Sequence, residues 1–313
     1  MKVIYLDWEM QELSSCVATI GVFDGVHRGH QMLIRQVISE ARKVRFSSVV
    51  ITFDRLPRQV LDPNFRPQLL TTFEEKQRLL AHTGVAYLVV LPFSRELAAL
   101  SAEAFMRQVL RDRLNVKVLL TGYDNRFGHQ RTEGFNDYVR YGKEMGMQVL
   151  RGEAEMMGNG DRAISSSAIR ELLSQGRVGL MPEYLTRNYQ VAGKVVQGYH
   201  IGHELGFPTA NLQLNCPDKL IPASGVYAVW AALEGEDKER PAMMNIGARP
   251  TFDGTRQTLE VNIFDFEGDL YGKQLIVTFV SRLREERRFE SPEALTVQLR
   301  KDKEAAEVAL LGK

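Results

Sequence analysis

The sequence predicts an α/β domain built on a parallel sheet, followed by a smaller antiparallel β-barrel domain with a C-terminal helix. Three observations predict it. Over the first half, β-branched runs alternate with amphipathic helical segments, the pattern of a parallel sheet covered on both faces. From Tyr189 onward, strand-like runs follow one another with only turn residues between them, as in a small barrel. Between the halves, Gly176, Gly179 and Pro182 interrupt the helical pattern, which places domains at 1–180 and 183–313, each long enough for its own core.

The first clear element is the strand Val17 to Ile20. It runs into Gly21-Val22-Phe23-Asp24-Gly25-Val26-His27-Arg28-Gly29-His30 and then a helix with apolar residues at Leu33, Ile34, Val37, Ile38, Ala41 and Val44. A strand, a glycine-rich turn and a helix put backbone N–H groups and the positive end of a helix dipole at the carboxyl edge of a sheet, where phosphates bind. His27 and His30 stand three apart around Gly29, so both can lie on one side of the first turn, with Gly29 letting a ligand approach. Imidazoles there can donate to phosphate oxygens as charge builds on a leaving pyrophosphate. The same residues also describe surface histidines at a helix start. A metal pair is disfavoured, because Asp24 is the only carboxylate nearby and no third His or Cys accompanies it.

A buried strand follows at Ser48 to Phe53, a loop at Asp54 to Pro57, and a helix from Thr72, its cap, through Leu80. Tyr87 to Leu91 reads as a strand, 102–114 as a helix and Val116 to Thr121 as a strand leading into Gly122 to His129. Asp124, Arg126 and Phe127 in that loop suit a site that takes a ring and a phosphate, or a plain surface turn. Ile164-Ser165-Ser166-Ser167-Ala168-Ile169-Arg170 then opens a helix. Its serines suit a cap and a phosphate cradle. Arg170 opposes the helix dipole at a cost of about a few tenths of a kcal/mol unless an anion neutralises it or it points into water.

The second half reads as strands at Tyr189 to Val196, Gly225 to Ala232, Ala242 to Ile246, Thr258 to Phe264 and Gln274 to Val280. Ser291 caps a closing helix that has Pro292 in its first turn. In the fourth strand Leu259, Val261 and Ile263 share one face, and Glu260 and Asn262 share the other. A glutamate there ordinarily faces water. The stretch Gly198 to Asn211 is glycine-rich, yet no P-loop pattern occurs.

Composition excludes several classes. Forty basic residues against 39 acidic ones leave a net charge of +1, with no electrostatic footprint for nucleic acid or an anionic membrane. Cys16 and Cys216 stand far apart, in no disulfide or zinc spacing. The longest apolar run, Val226 to Leu233, is too short to span a bilayer, and the N-terminal stretch has no leader pattern, so a cytoplasmic protein is expected. Nothing in the sequence points to an oligomeric state.

Gly-x-Phe-Asp-Gly-x-His-x-Gly-His, Ile-Ser-Ser-Ser-x-Ile-Arg and Phe207-Pro208-Thr209-Ala210-Asn211, with Asn245 to Phe252 and Leu259 to Phe266, resemble in order the motifs of bacterial bifunctional riboflavin kinase/FAD synthetases. The resemblance implies a Rossmann-like nucleotidyltransferase domain joined to a riboflavin kinase-like barrel. It implies phosphorylation of riboflavin to FMN and adenylylation of FMN to FAD, with ATP as co-substrate and Mg²⁺ as cofactor. Catalytic residues would be Glu260, His27, His30 and Arg170. Nucleotide contacts would come from Gly21, Phe23, Asp24, Gly29, Ser165, Ser166, Gly193, Lys194, Gly206, Pro208 and Thr209. Flavin contacts would come from Asp124, Phe127 and Arg284, and Thr209 and Asn211 would serve as hard Mg²⁺ ligands. The chain departs from the family pattern at Arg55, Leu56 and Asn125, expected in the first domain's flavin pocket, and at His203, where the family often has Arg. Other readings are an adenylyltransferase for a different phosphate acceptor, a tRNA-synthetase relative, for which no Lys-Met-Ser-Lys-Ser-like loop is found, and a flavin-sensing module.

Overall fold

The computed structural model describes residues 1–6, 13–123, 125–156, 163–197, 206–236, 238–251 and 254–312, with the backbone alone for 248–251 and 254–256. The chain divides into two compact units, Met1–Ser166 and Ser167–Lys313.

The first unit carries β1 (Lys2–Tyr5), β2 (Cys16–Ile20), α1 (Arg28–Val44), β3 (Ser47–Phe53), α2 (Pro57–Leu61), α3 (Phe73–Ala81), β4 (Tyr87–Leu91), α4 (Arg95–Ala99), α5 (Ala102–Phe105), β5 (Val116–Thr121), α6 (Phe135–Glu144) and β6 (Gln148–Arg151). The strands form one sheet in the order β1-β4-β3-β2-β5-β6, every neighbouring pair parallel. Alternation along the strands builds a core on each face. Ala18, Ile20, Val49 and Ile51 pack with Met106, Leu110 and Tyr138, while Val17, Val50, Leu88 and Val90 pack with Leu33, Ile34 and Val37 of α1. From β2 the chain winds one way through β3 and β4, and from β5 it winds the other way to β6. The reversal lies between β2 and β5, the place where doubly wound sheets bind ligands.

The expected caps hold: the Thr72 side chain accepts from Glu75 N–H while the Glu75 carboxylate accepts from Thr72 N–H, closing a capping box on α3. The helix expected over 102–114 is α-helical only to Phe105. Met106–Arg111 is a π-helix whose wide turn lets Met106, Val109 and Leu110 all bury, and Asp112 caps its end. The short elements α6 and β6 escape the sequence pattern.

The second unit contains most of α7 (Ser166–Ser174), then α8 (Met181–Leu185), β7 (Gln190–Val196), β8 (Ala210–Leu214), β9 (Gly225–Leu233), β10 (Arg240–Thr251), β11 (Gly254–Ile263), β12 (Gln274–Arg284) and α9 (Pro292–Leu311). Six strands close a barrel in the order β10-β11-β8-β7-β12-β9, all antiparallel. Gly193 is required at the β7–β8 approach, since a Cβ there would lie 2.4 Å from the Gln213 carbonyl oxygen. β8 reads as loop in the sequence because it begins inside the Phe-Pro-Thr-Ala-Asn motif. β12 is longer than expected, continuing through register shifts after Phe279 and Arg282 that bend it over the barrel. Ala306 of α9 packs against Ala228, Met243 and Phe264. The Leu173 carbonyl of α7 accepts from Ala223 N–H at 3.0 Å, so the sequence break at Gly176 lies inside this unit.

Candidate active sites

At the carboxyl end of β2 the backbone enters a tight turn in which Phe23 (φ 53°), Gly25 (φ 81°) and Val26 (φ 40°) are left-handed. Two of these are bulky, and each such residue costs about 1–3 kcal/mol, so the surroundings must hold the turn in place. Phe23 and Val26 are buried, and the Asp24 carboxylate, 5% exposed, accepts from Leu70 N–H (3.0 Å), Thr71 N–H (3.0 Å) and the Thr71 hydroxyl (3.2 Å). Gly25 N–H donates to Thr71 Oγ1. Asp24 therefore moors the turn to the segment before α3.

The turn delivers His27 as the N-cap of α1. Its Nδ1 accepts from His30 N–H at 3.3 Å, which puts the ring proton on Nε2. The His27 and His30 rings stack with centroids 3.6 Å apart, and His30 meets Phe23 edge-on at 5.1 Å. His30 Nδ1 is buried with no hydrogen-bond partner among the described residues. Burial, the neighbouring His27 and the Lys76 ammonium together hold the His30 pKa well below its usual value, so this imidazole is neutral at pH 7. At Gly29 a Cβ would lie 3.3 Å from both the His27 ring and the Ile164 carbonyl, and the Ser166 hydroxyl donates to Asp24 O at 2.9 Å. Gly21, Phe23, Asp24, His27, Gly29, His30 and Ser166 thus come together, with Ser165 next to Ser166.

A cavity of about 390 Å³ opens at the β2 and β5 ends, lined by Gly21, Phe53, Phe93, Phe105, Asn125, Arg126, Phe127 and Arg131 among others. Aromatic walls with guanidinium groups beside them suit a flat heteroaromatic ring carrying a phosphate. Phe127 is held by stacking on Tyr138 at 4.2 Å, and Tyr138 OH donates to the Phe127 carbonyl. The Asn125 amide donates to the Ile20 carbonyl at 2.5 Å and so ties this loop to the end of β2.

In the second unit, register places Glu260 of β11 between Asn211 of β8 and Asn245 of β10. Glu260, Thr209, Asn245 and Asn262 line a cavity of about 300 Å³ whose other walls include Phe207, Val226, Met243, Arg284, Phe289, Leu295 and Leu299. The Asn262 amide donates to the Pro208 carbonyl at 2.7 Å, pinning the segment that carries Thr209. Arg284 grips Asp302 of α9 through Nε (2.9 and 3.0 Å) and a terminal nitrogen (2.7 Å), and its other terminal nitrogen donates to Glu285 O.

Residues 9–168 match the family model for FAD synthetase and residues 185–310 that for riboflavin kinase. The bifunctional riboflavin kinase/FMN adenylyltransferase of Escherichia coli strain K12 is 38% identical over 287 residues, covering 92% of this chain and 90% of that protein. This chain belongs to the same family. Its counterparts in Pseudomonas fluorescens and Bacillus subtilis are 36% and 35% identical, each spanning 93% of the relative. The crystal structure of a macrolide-efflux protein from Streptococcus pneumoniae superposes with a TM-score of 0.88 at 31% identity, covering 98% of this chain and 99% of that one. The enzyme is a riboflavin kinase and FMN adenylyltransferase, with the FAD synthetase domain N-terminal and the kinase domain C-terminal.

Against the family motifs, the structure distributes the expected residues unevenly. Thr209, Glu260 and Arg284 share the kinase-domain cavity, and Phe127 lines the one in the FAD synthetase domain. Gly193 and Lys194 lie on β7 and, like Gly206 and Pro208, contribute no side chain to the kinase-domain cavity. Arg170 is half-buried on α7 in the second unit. Asp124, His203 and most of the glycine-rich loop fall outside the described residues. Of the three departures from the family pattern, Asn125 lines the first cavity, whereas Arg55 pairs with Asp54 at 3.1 Å and neither it nor Leu56 lines that cavity. Lys76 and the walls supplied by Leu295 and Leu299 carry no motif signal and were invisible to sequence reading.

Among the described residues no cluster of His, Cys, Asp and Glu could hold a metal ion, and no helix is long and apolar enough to cross a membrane. The oxygen donors of Thr209 and Asn211 beside Glu260 nevertheless suit a hard cation bound mainly through phosphates.

Proposed function

We propose that riboflavin is phosphorylated in the barrel cavity with Glu260 as general base, and that FMN is adenylylated over the stacked His27 and His30. In the first reaction the terminal ribityl hydroxyl attacks the ATP γ-phosphorus, its proton passes to the Glu260 carboxylate, and ADP leaves. Mg²⁺ held by Thr209 and Asn211 would neutralise phosphate charge there. In the second, an FMN phosphate oxygen attacks the ATP α-phosphorus as the bond to the β-phosphate oxygen breaks and pyrophosphate departs, with no covalent enzyme intermediate. His27 and His30 donate N–H groups to the charge that develops. The phosphate cradle is assigned to Ser165, Ser166 and Arg170 on their likeness to the family motif, and Phe127 and its cavity to the flavin. The functional halves are taken as 1–180 and 183–313, within which the family models cover 9–168 and 185–310. The ATP requirement of both steps supports a cytoplasmic setting.

The observation that carries this reading is the placement of Glu260 in the same cavity as Thr209, in register with two asparagines. Glu260→Gln keeps the shape and removes the proton acceptor. With riboflavin and Mg-ATP, FMN formation is expected to fall by about 10²- to 10⁴-fold while adenylylation of supplied FMN continues unchanged. A Glu260→Gln enzyme that makes FMN at the parent rate refutes the assignment.

A further inference from the structure

A lysine that no motif marks is buried against the turn that leads to His27 and His30. Lys76, on the first turn of α3, is 8% exposed. Its ammonium donates to the Val22 carbonyl at 3.2 Å and to Thr52 Oγ1 at 3.3 Å, and it lies 5.1 Å from the centroid of the Phe73 ring. Val22 belongs to the strained turn that carries the histidines, and Thr52 lies near the end of β3, the neighbouring strand. Thr52 Oγ1 in turn donates to Val22 O at 3.2 Å, so lysine, turn and strand form one hydrogen-bonded triangle. Burying an ammonium is unfavourable, and replacing such a group by an apolar one of similar volume is often neutral or stabilising. Stability alone therefore does not account for it.

We infer that Lys76 is a positioning residue for adenylyl transfer: its ammonium ties the end of β3 to the Gly21 to Val26 turn and so fixes the backbone that carries His27 and His30. The inference rests on the assignment of His30 to this reaction. Among the described residues, the titratable groups that act on His30 are His27, stacked on it, and Lys76, and Asp24 acts in turn on the lysine. Burial first, then His27 and Lys76, disfavour a positive charge on the His30 ring. Burial lowers the Lys76 pKa to about 8, against a smaller opposing pull from Asp24. The lysine is thus charged at neutral pH and loses its proton near pH 8.

The test compares full-length wild type with Lys76→Met, Thr52→Val and His30→Ala, measuring pH profiles for conversion of FMN to FAD and, on the same samples, of riboflavin to FMN. In wild type, FAD formation declines above about pH 8 and FMN formation shows no such limb. Lys76→Met is expected to lower FAD formation by about tenfold or more, the lower end for a group acting through positioning. It should also abolish the alkaline limb. FMN formation is unchanged. A rate loss that leaves the alkaline limb in place makes Lys76 merely structural and overturns the inference, as does loss of that limb without rate loss. Should Lys76→Met fail to fold, Thr52→Val removes one acceptor of the ammonium and must shift the alkaline limb to lower pH; an unmoved limb overturns the inference. His30→Ala separates the two readings: if it makes FAD normally, the site assignment itself fails, whereas a dead His30→Ala enzyme beside an unaffected Lys76→Met enzyme refutes only the role of the lysine.

Discussion

Asp302→Asn tests whether α9 is part of the riboflavin site or only packs outside it. The Asp302 side chain is 4% exposed and accepts three contacts from Arg284 between 2.7 and 3.0 Å, with Gln298 Nε2 adding a fourth at 2.7 Å. Asparagine keeps the volume but removes the charge and turns one acceptor into a donor facing a guanidinium donor. Breaking a buried ion pair from one side costs about 3–5 kcal/mol. The Arg284 side chain is 19% exposed and can recover some hydration, so the lower end, about 3 kcal/mol, applies. That loss falls on the docking of α9, which supplies Leu295 and Leu299 to the cavity, and on β12, which supplies Arg284. Amide hydrogen exchange should accelerate along α9 by about 10²-fold, the equivalent of that energy. The riboflavin KM should rise by at least about tenfold, with a smaller change in kcat for the molecules that bind. Adenylylation of supplied FMN should not change. Exchange and riboflavin KM both at wild-type values would refute the reasoning.

Two other perturbations have defined outcomes. Asn125→Ala removes the 2.5 Å bond to Ile20 that holds the 125–128 wall of the first cavity, so the FMN KM for adenylylation should rise several-fold with the ATP response unchanged; a weakened ATP response with normal FMN dependence contradicts it. A fragment of residues 183–313 lacks α7, whose Leu173 is fully buried and whose carbonyl caps Ala223 N–H, so it should melt earlier than 167–313 by the equivalent of about 2 kcal/mol while both phosphorylate riboflavin; equal melting would show that α7 adds nothing to the barrel.

Much of this was legible in the sequence where a local pattern and its chemistry coincide. The strand, turn and helix at 17–44, the cap at Thr72, and the alternation that puts Glu260 and Asn262 on the face opposite Leu259 and Val261 all follow from near neighbours in the chain. What stayed hidden depends on distant partners. Asp24 reads as a ligand-facing carboxylate, yet its acceptors are taken up by backbone 46 residues away. Lys76 sits in Glu-Glu-Lys-Gln-Arg with no motif to mark it, and its partners Val22 and Thr52 lie 54 and 24 residues away. Arg284 reads as a flavin contact in a charged run, and its partner Asp302 lies in a helix whose sequence carries no functional motif. The π-helical stretch after Phe105 also has no propensity signature, because it arises from fitting Val109 and Leu110 together against the sheet.

The two sites hold their reactive groups by different means, and this governs how each tolerates change. In the FAD synthetase domain, His27 and His30 owe their position to a backbone forced into left-handed conformations at Phe23 and Val26 and moored through Asp24. Its vulnerable points are therefore the moorings, which need not touch a substrate. In the kinase domain, Glu260 is placed by strand pairing, Asn211 on one side and Asn245 on the other. Side chains alternate along a strand, so a slip of one residue would turn Glu260 away from Thr209 and bring Leu259 into the cavity. The close β7–β8 contact at Gly193 and the shifts in β12 resist such a slip by closing the barrel in a single register. Gly193 thus bears on the kinase-domain cavity without lining it, by keeping the register that places Glu260 there.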